Sequence, residues 1–232
     1  MSISGGSRQS AVSAGIKTIG LIVLFIALLF VPAGGFDWIE GWLFFLAFLI
    51  SVGALVVWGY RNRPELMRER SDPGENVKRW DQVIMGIYSL MLVILLVTAA
   101  LDSGRFSWSS PSLLAYIIGW TGLFFSLGLV WWTFKVNPYL SEQVRIQDDR
   151  GHQVISDGPY QYVRHPMYVG IIIVVFCVPL VLGSYWALLP AGMIAVLFII
   201  RTALEDRTLF EELAGYPEYG ERVRYRLLPY VW

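Results

Sequence analysis

Residues 158–170, which read GPYQYVRHPMYVG, place an arginine, a histidine and three tyrosines directly before a long apolar run. Such a run is typical of a membrane span, and ionisable side chains are costly beside hydrocarbon. These side chains can bind ligands: tyrosine rings stack on a base or hold a cation, and arginine binds anions. The segment is therefore the first candidate for a functional site.

Pro166 predicts the first turn of a helix, because proline suits that position and keeps the preceding His165 out of the helical conformation. The backbone N–H groups behind Pro166 would lack partners within the helix, and a helix start of this kind attracts anions. Tyr160 and Tyr168 lie on either side and provide aromatic faces. The sequence thus predicts a polar and aromatic binding site at the membrane surface.

The apolar run from residue 166 to residue 200 is too long for one span of about 20 residues. Pro179 and Gly183 lie within it and predict a break, so that the run forms a helical hairpin of two spans. Arg201 and Glu205 follow on the same side of the membrane as His165. Their four-residue spacing places them on one helix face.

These side chains also have structural interpretations. Tyrosine at the end of a span is commonly an interfacial anchor, and arginine there commonly extends its charge to the headgroups. Arg201 and Glu205 could form an ion pair of little energetic weight. Their joint position at the two ends of one hairpin favours a binding site. A ligand with a carboxylate, an ammonium, an aromatic base and a positive centre would suit it, and S-adenosylmethionine has all four.

The composition indicates an integral membrane protein. Hydrophobic residues make up 56% of the 232 residues and charged residues 16%, which excludes disorder and leaves an apolar soluble helical domain as a weak alternative. The formal net charge of zero gives no indication of nucleic-acid binding. The single Cys177 and the two histidines do not make a Cys/His metal site.

The apolar runs predict an all-α, polytopic membrane protein with about six transmembrane helices. With the N-terminus inside, 17 of the 18 Lys and Arg residues fall on the cytoplasmic side and Arg105 alone falls outside, as the positive-inside rule requires. Both termini and the candidate site are therefore predicted to be cytoplasmic. The first four spans are predicted at residues 16–31, 38–60, 82–101 and 112–134, and the hairpin supplies the last two.

The connections between the spans carry their own predictions. Residues 61–81 are expected to form a charged loop with a turn at residues 72–74, and residues 102–111 a short polar turn. The first apolar run is expected to be a retained span and not a signal peptide. The small residues Gly119, Gly122, Ser126 and Gly128 allow close helix contact, which is more commonly made within a chain than between chains.

The run 152–168, HQVISDGPYQYVRHPMY, resembles the core motif of isoprenylcysteine carboxyl methyltransferases and their bacterial relatives, whose superfamily includes phospholipid N-methyltransferases. The second half of the motif is similar as well: Arg201 is followed by the paired acids Glu205 and Asp206, a tyrosine pair and Pro229. The tail 215–229 is similar to that of short bacterial members. The resemblance covers about residues 145–232.

This resemblance implies S-adenosylmethionine as the cofactor and a lipophilic or lipidated methyl acceptor, first of all the carboxylate of an isoprenylcysteine-like molecule. It implies substrate contact at Arg201 and cofactor contact at Glu205, and these two are the candidate catalytic residues. The implied cofactor contacts are His152, Gln153, Val154, Ile155, Tyr160, His165, Pro166, Met167, Tyr168 and Glu205. Arg145 stands where the family often has glutamine and Asp206 where it often has glutamate, and the sequence leaves the contribution of both open.

Residues 1–134 are expected to form four N-terminal spans, and residues 135–232 the methyltransferase core. The resemblance to bacterial members implies a bacterial inner membrane. A phospholipid amine or a small thiol is the alternative acceptor. Two alternatives from another class are a nicotinamide-dependent enzyme similar to sterol reductases and a membrane protein without enzymatic activity. The sequence does not indicate the oligomeric state.

Overall fold

The computed structural model describes residues 4–71 and 77–232, and these residues form helices and connections without a β-strand. The turn predicted at residues 72–74 lies outside the described residues. In chain order the α-helices are α1 (Ser4–Ala33), α2 (Ile39–Asn62), α3 (Pro64–Ser71), α4 (Arg79–Ala99), α5 (Leu113–Val136), α6 (Pro166–Leu182), α7 (Leu188–Glu212) and α8 (Tyr216–Arg222).

Within residues 4–71 and 77–232, four helical segments are long and apolar enough to cross a membrane: α2, α4 with its continuation to Phe106, α5 and α7. The part of α1 from Thr18 to Ala33 and the whole of α6 are apolar but shorter. The predicted all-helical architecture, with several helices long and apolar enough to span a membrane, is therefore confirmed. The count of six spans and the hairpin geometry stay predictions.

The apolar run after residue 166 is broken at Gly183, which has a φ of +79° and ends α6. Glycine suits this left-handed position because it has no Cβ. Pro179, which the sequence also indicated as a breaking residue, lies inside α6, and the helix continues for less than one turn beyond it. Helix α7 begins at Leu188 and packs against α6.

Helices α5 and α6 pack closely because glycines of α5 lie at their interface. A methyl group on Gly122 would lie 2.5 Å from Sγ of Cys177, and one on Gly119 would lie 2.8 Å from Cβ of Leu180. Both distances are shorter than van der Waals contact. Gly119 and Gly122, two of the small residues noted in the sequence, thus allow close contact between helices of the same chain. A Cβ on Gly128, in contrast, would meet nothing within 4 Å.

Two predicted loops contain helical structure. Residues 102–106, expected as part of a polar turn, continue α4 as a π-helix over Ala100–Phe106. The cause is Asp102, which is fully buried and accepts hydrogen bonds from the Ser109 backbone N–H and hydroxyl and from the Ser184 hydroxyl. The charged segment 61–81 contains α3 and the start of α4.

The polar connection between α5 and α6, residues 137–165, contains two short 3₁₀ turns, Asp148–Arg150 and Gly158–Gln161. Its aromatic anchor is Tyr160, which packs in an apolar cluster with Leu213, Tyr216 and Tyr219. This cluster joins the connection to the end of α7 and to α8. The connection is thereby held against the C-terminal half of α7, which carries Arg201 and Glu205.

Candidate active site

A cavity of about 360 Å³ lies where the connection 137–165 meets α4, α6, α7 and α8. Small-molecule sites commonly enclose about 300–1,000 Å³. The wall of this cavity includes every predicted site residue except Pro166, namely His152, Gln153, Val154, Ile155, Tyr160, His165, Met167, Tyr168, Arg201 and Glu205. His165, immediately before α6, and Glu205, in the C-terminal half of α7, thus share one cavity.

Pro166 is the first residue of α6, as predicted, and it is buried beside the cavity. Of the N–H groups expected to be free behind it, the Tyr168 N–H donates to the His165 carbonyl at 3.1 Å. The Met167 N–H has no partner among the described residues. The start of α6 therefore offers one free donor near the cavity, fewer than the sequence suggested, because the backbone closes its first turn on His165.

The segment 152–155 lines the cavity, and most of its peptide groups have no hydrogen-bond partner among the described residues. The His152 N–H donates to the Gln147 carbonyl at 3.2 Å, whereas the peptide groups of Gln153, Val154 and Ile155 have no hydrogen-bond partner in the described part of the chain. Backbone polar groups beside a cavity without partners are suited to a ligand that supplies both donors and acceptors. The edge of an aromatic base is such a ligand group.

His152 is a packed, neutral side chain. Its ring lies 4.6 Å from the Tyr139 ring, and its Nδ1 accepts a long hydrogen bond of 3.4 Å from the Gln147 N–H. Burial lowers the pKa of His152 to about 4. The imidazole is therefore uncharged at neutral pH and is a poor proton acceptor.

Tyr160 is buried, and both of its polar groups are engaged. Its hydroxyl accepts a hydrogen bond of 2.7 Å from Nδ2 of Asn137, and its carbonyl accepts one of 2.8 Å from the Tyr219 hydroxyl. Burial raises the pKa of Tyr160, so the phenol stays protonated. The residue contributes an aromatic edge to the cavity wall and fixes the connection in place.

Tyr168, in the first turn of α6, links that helix to α7 within the site. Its hydroxyl donates a hydrogen bond to Oε2 of Glu205 on α7. Its ring lies parallel to the His165 ring, with centroids 5.7 Å apart. These three predicted residues are therefore brought together in the folded chain.

Arg201 is not paired with Glu205, contrary to one of the structural interpretations of their spacing. Its Nε and Nη2 donate to Asp81 at 2.7 and 3.2 Å, and Nη2 also donates to the Glu142 carbonyl at 2.7 Å. The guanidinium lies 5.1 Å from the centre of the Tyr168 ring. Nη1 has no partner among the described residues and is the donor of Arg201 that a ligand could use.

Asp206 does not line the cavity, but it accepts hydrogen bonds from several side chains next to it. It is 1% exposed and accepts hydrogen bonds from Nε and Nη2 of Arg164 at 2.8 and 2.9 Å. The Tyr216 hydroxyl and Nε of Arg226 also donate to it. The sequence left open whether Asp206 contributes to the site. In the structure its carboxylate is fully occupied by these hydrogen bonds within the chain.

Arg145, at the position where glutamine is common in similar sequences, is also engaged. It donates two hydrogen bonds of 2.8 Å to the carboxylate of Glu69 on α3, and it pairs with Asp149. This buried pair fastens the connection to α3. The arginine lines the cavity, but its charge is compensated.

The charges around the cavity balance with one exception. Each guanidinium in the described cavity wall is held by a carboxylate: Arg70 by Glu142, Arg145 by Glu69, Arg164 by Asp206 and Arg201 by Asp81. Glu205 forms no ion pair with any of the described residues: its hydrogen-bond donor is the neutral Tyr168 hydroxyl, and the charge of Arg201 acts on it only from a greater distance. The wall therefore contains one carboxylate outside an ion pair, which favours a cationic ligand.

Sequence reasoning missed Asp81 as part of the site. It is completely buried in the first turn of α4 and accepts from Arg201 and from the Val144 N–H. A signal was present, since an acidic residue at the start of an apolar span is costly unless it is paired. Its partner, 120 residues away, could not be read from spacing.

Residues 118–211 match the model of the isoprenylcysteine carboxyl methyltransferase family. This stretch runs from within α5 almost to the end of α7, and it contains the predicted cofactor residues together with Arg201 and Glu205. No curated protein matches the chain. The family match confirms the resemblance that the two halves of the motif carry.

Proposed function

We propose that the chain is an S-adenosylmethionine-dependent membrane methyltransferase of the isoprenylcysteine carboxyl methyltransferase family, whose model its residues 118–211 match. The family is one of methyltransferases, and helices that are apolar and long enough to cross a membrane contribute to the cavity. The acceptor that we propose is the carboxylate of a lipophilic, isoprenylcysteine-like molecule.

The Glu205 carboxylate, which is in no ion pair with the described residues, is the observation that carries the proposal. S-adenosylmethionine bears a sulfonium and an ammonium group against one carboxylate, so its net charge is positive. A cavity whose guanidinium groups already have carboxylate partners, and which has one carboxylate outside an ion pair, is complementary to such a ligand. The Tyr168 hydroxyl, which donates to Glu205, holds this carboxylate in position.

The other polar groups of the cavity suit the rest of the cofactor. The free peptide groups of residues 153–155 would bind the edge of the adenine base. The free Met167 N–H at the start of α6 would donate to the carboxylate. His152 is neutral, and its ring packing with Tyr139 keeps the adjoining backbone in place.

When bound, S-adenosylmethionine supplies a methyl group that an oxygen can take while the electron pair of the C–S bond stays on sulfur. A carboxylate acceptor is already ionised at neutral pH, so the protein need not remove a proton from it. This suits the cavity, because the Glu205 carboxylate already accepts from Tyr168 and the His152 pKa of about 4 makes that ring a weak base. The remaining task of the chain is to orient the acceptor and exclude water.

Arg201 would orient the acceptor carboxylate through Nη1, since its other nitrogens are held by Asp81 and the Glu142 carbonyl. The lipophilic part of the acceptor would lie against the apolar side chains of Met85, Ile171 and Phe198, which line the cavity. These residues belong to α4, α6 and α7, which extend from the cavity as apolar helices. Charge placement along the sequence supports a cytoplasmic position for the cavity.

The first experiment is a titration of the purified, detergent-solubilised protein with S-adenosylmethionine and with NADPH. We expect binding of S-adenosylmethionine and none of NADPH. A preference for NADPH would support a reductase, and absence of binding to both would support a protein without this enzymatic activity.

The second experiment identifies the acceptor. The protein is incubated with methyl-labelled S-adenosylmethionine and, separately, an N-acylated S-prenylcysteine, phosphatidylethanolamine in vesicles, and a short thiol. We expect label in a base-labile ester of the prenylcysteine. Label in the phospholipid or the thiol instead would replace the carboxylate acceptor while leaving the cofactor assignment intact.

A further inference from the structure

The hydroxyl of Tyr88 on α4 lines the cavity and has no hydrogen-bond partner among the described residues. Its ring is held edge-on against the Phe198 ring at 5.2 Å, and Phe198 is 1% exposed. Phe198 also packs against Tyr168 at 5.3 Å. Tyr88 is therefore a positioned side chain whose polar end is available to a ligand.

Tyr88 and Arg201 both contact the Phe198 ring, and the Tyr88 hydroxyl lies within range of the charges of Arg201 and Glu142. Arg201 is fixed by three hydrogen bonds, two to Asp81 and one to the Glu142 carbonyl, and by the Tyr168 ring beneath its guanidinium. Nη1 is left without a partner in the described part of the chain. Two side chains with a donor that lacks a partner among the described residues, one charged and one neutral, thus line the same cavity.

We propose that Tyr88 is an acceptor-binding residue whose hydroxyl, together with Nη1 of Arg201, donates hydrogen bonds to the carboxylate of the methyl acceptor. The inference rests on the proposed function and adds to it a residue that lies outside the matched stretch 118–211. Asp81 keeps the guanidinium oriented toward the carboxylate. Met85 and Ile171 provide the apolar surface next to it.

Such a subsite distinguishes the acceptor from its product. An ionised carboxylate accepts two charge-assisted hydrogen bonds, whereas its methyl ester is neutral and a weaker acceptor. The loss of charge on methylation would then weaken binding and favour release of the product. Retention of the acid and release of the ester are two consequences of one pair of donors.

The test compares binding of an N-acylated S-prenylcysteine and its methyl ester to the detergent-solubilised protein without cofactor. We expect the wild-type protein to bind the acid about tenfold or more tightly than the ester, and Tyr88→Phe to lose most of this preference, since one hydrogen bond to a charged group is removed. The affinity for the ester and for S-adenosylmethionine should change little. Retained preference in Tyr88→Phe would overturn the proposal.

The matched control is Tyr116→Phe, which removes a hydroxyl that donates to Glu40 and does not line the cavity. It should keep the preference for the acid. If the wild-type protein binds S-adenosylmethionine but does not prefer the acid, the acceptor subsite is wrong and the cofactor proposal stands. If it does not bind S-adenosylmethionine, the proposed function itself is wrong, and the subsite is rejected with it.

Discussion

The carboxylate of Asp206 and the guanidinium of Arg164 form a bidentate ion pair, with N–O distances of 2.8 and 2.9 Å, that joins α7 to the turn before α6. The C-terminal segment joins the same cluster. Nη1 of Arg164 donates to the carbonyls of Val223 and Arg224, and Arg226 donates to Asp206. The buried carboxylate of Asp206 thus joins α7 to the turn before α6 and to the C-terminal segment.

Asp206→Asn should destabilise the protein by about 3–5 kcal/mol, because the variant leaves the buried guanidinium of Arg164 without its counter-charge. The measurement is the apparent Tm in detergent, followed by tryptophan fluorescence. The control is Glu211→Gln, which breaks an exposed ion pair with Arg207 on the same helix and should leave the Tm unchanged. Equal Tm values for the two variants would show that the Asp206 cluster does not stabilise the fold.

Glu205→Gln should weaken S-adenosylmethionine binding about tenfold or more, because it removes the cavity carboxylate that is in no ion pair with the described residues, while preserving the size of the side chain. Titration calorimetry gives the affinity, and Glu211→Gln again serves as the exposed control on α7. Parallel titrations with S-adenosylhomocysteine, whose sulfur is neutral, should show a smaller loss. Unchanged affinity for the cationic cofactor would remove Glu205 from the cofactor site.

Arg201→Ala should reduce turnover more than cofactor affinity, since the proposed role of Nη1 is to orient the acceptor. The variant also leaves Asp81 without a cation, so rates are expressed per cofactor-binding molecule to correct for unfolded protein. Arg207→Ala, an exposed position on the same helix, is the control. A turnover rate equal to that of the wild type would contradict the role of Arg201.

His152 should make stability depend on pH. Burial lowers its pKa from the ordinary 6.5 to about 4 in the folded protein, so below pH 6.5 the unfolded chain binds a proton that the folded chain resists. The stabilisation is present above pH 6.5 and is lost as the pH falls toward 4. The difference in apparent Tm between wild type and His152→Gln should therefore shrink from pH 7.5 to pH 4.5. Parallel Tm curves would mean that His152 is not buried as a neutral group.

The local elements were predictable because they depend on short-range chemistry. Apolar runs long enough to cross a bilayer predicted the long helices, Gly183 predicted a helix end, and Pro166 predicted a helix start. The motif residues on these elements predicted the cavity wall, which contains them all except Pro166. The π-helix at Ala100–Phe106 was not predictable, because it depends on the bonds of Asp102 to Ser109 and Ser184.

By itself, the sequence determined that this is an all-helical membrane protein with the family motif at the ends of two consecutive apolar helices, since hydrophobicity, proline and glycine act over a few residues. Only the tertiary structure decided which charges remain free. It paired Arg201 with Asp81 and Arg145 with Glu69, and it left Glu205 with the neutral Tyr168. These partners are far apart in the chain, so side-chain geometry after packing, and not spacing, decides the electrostatics of the cavity.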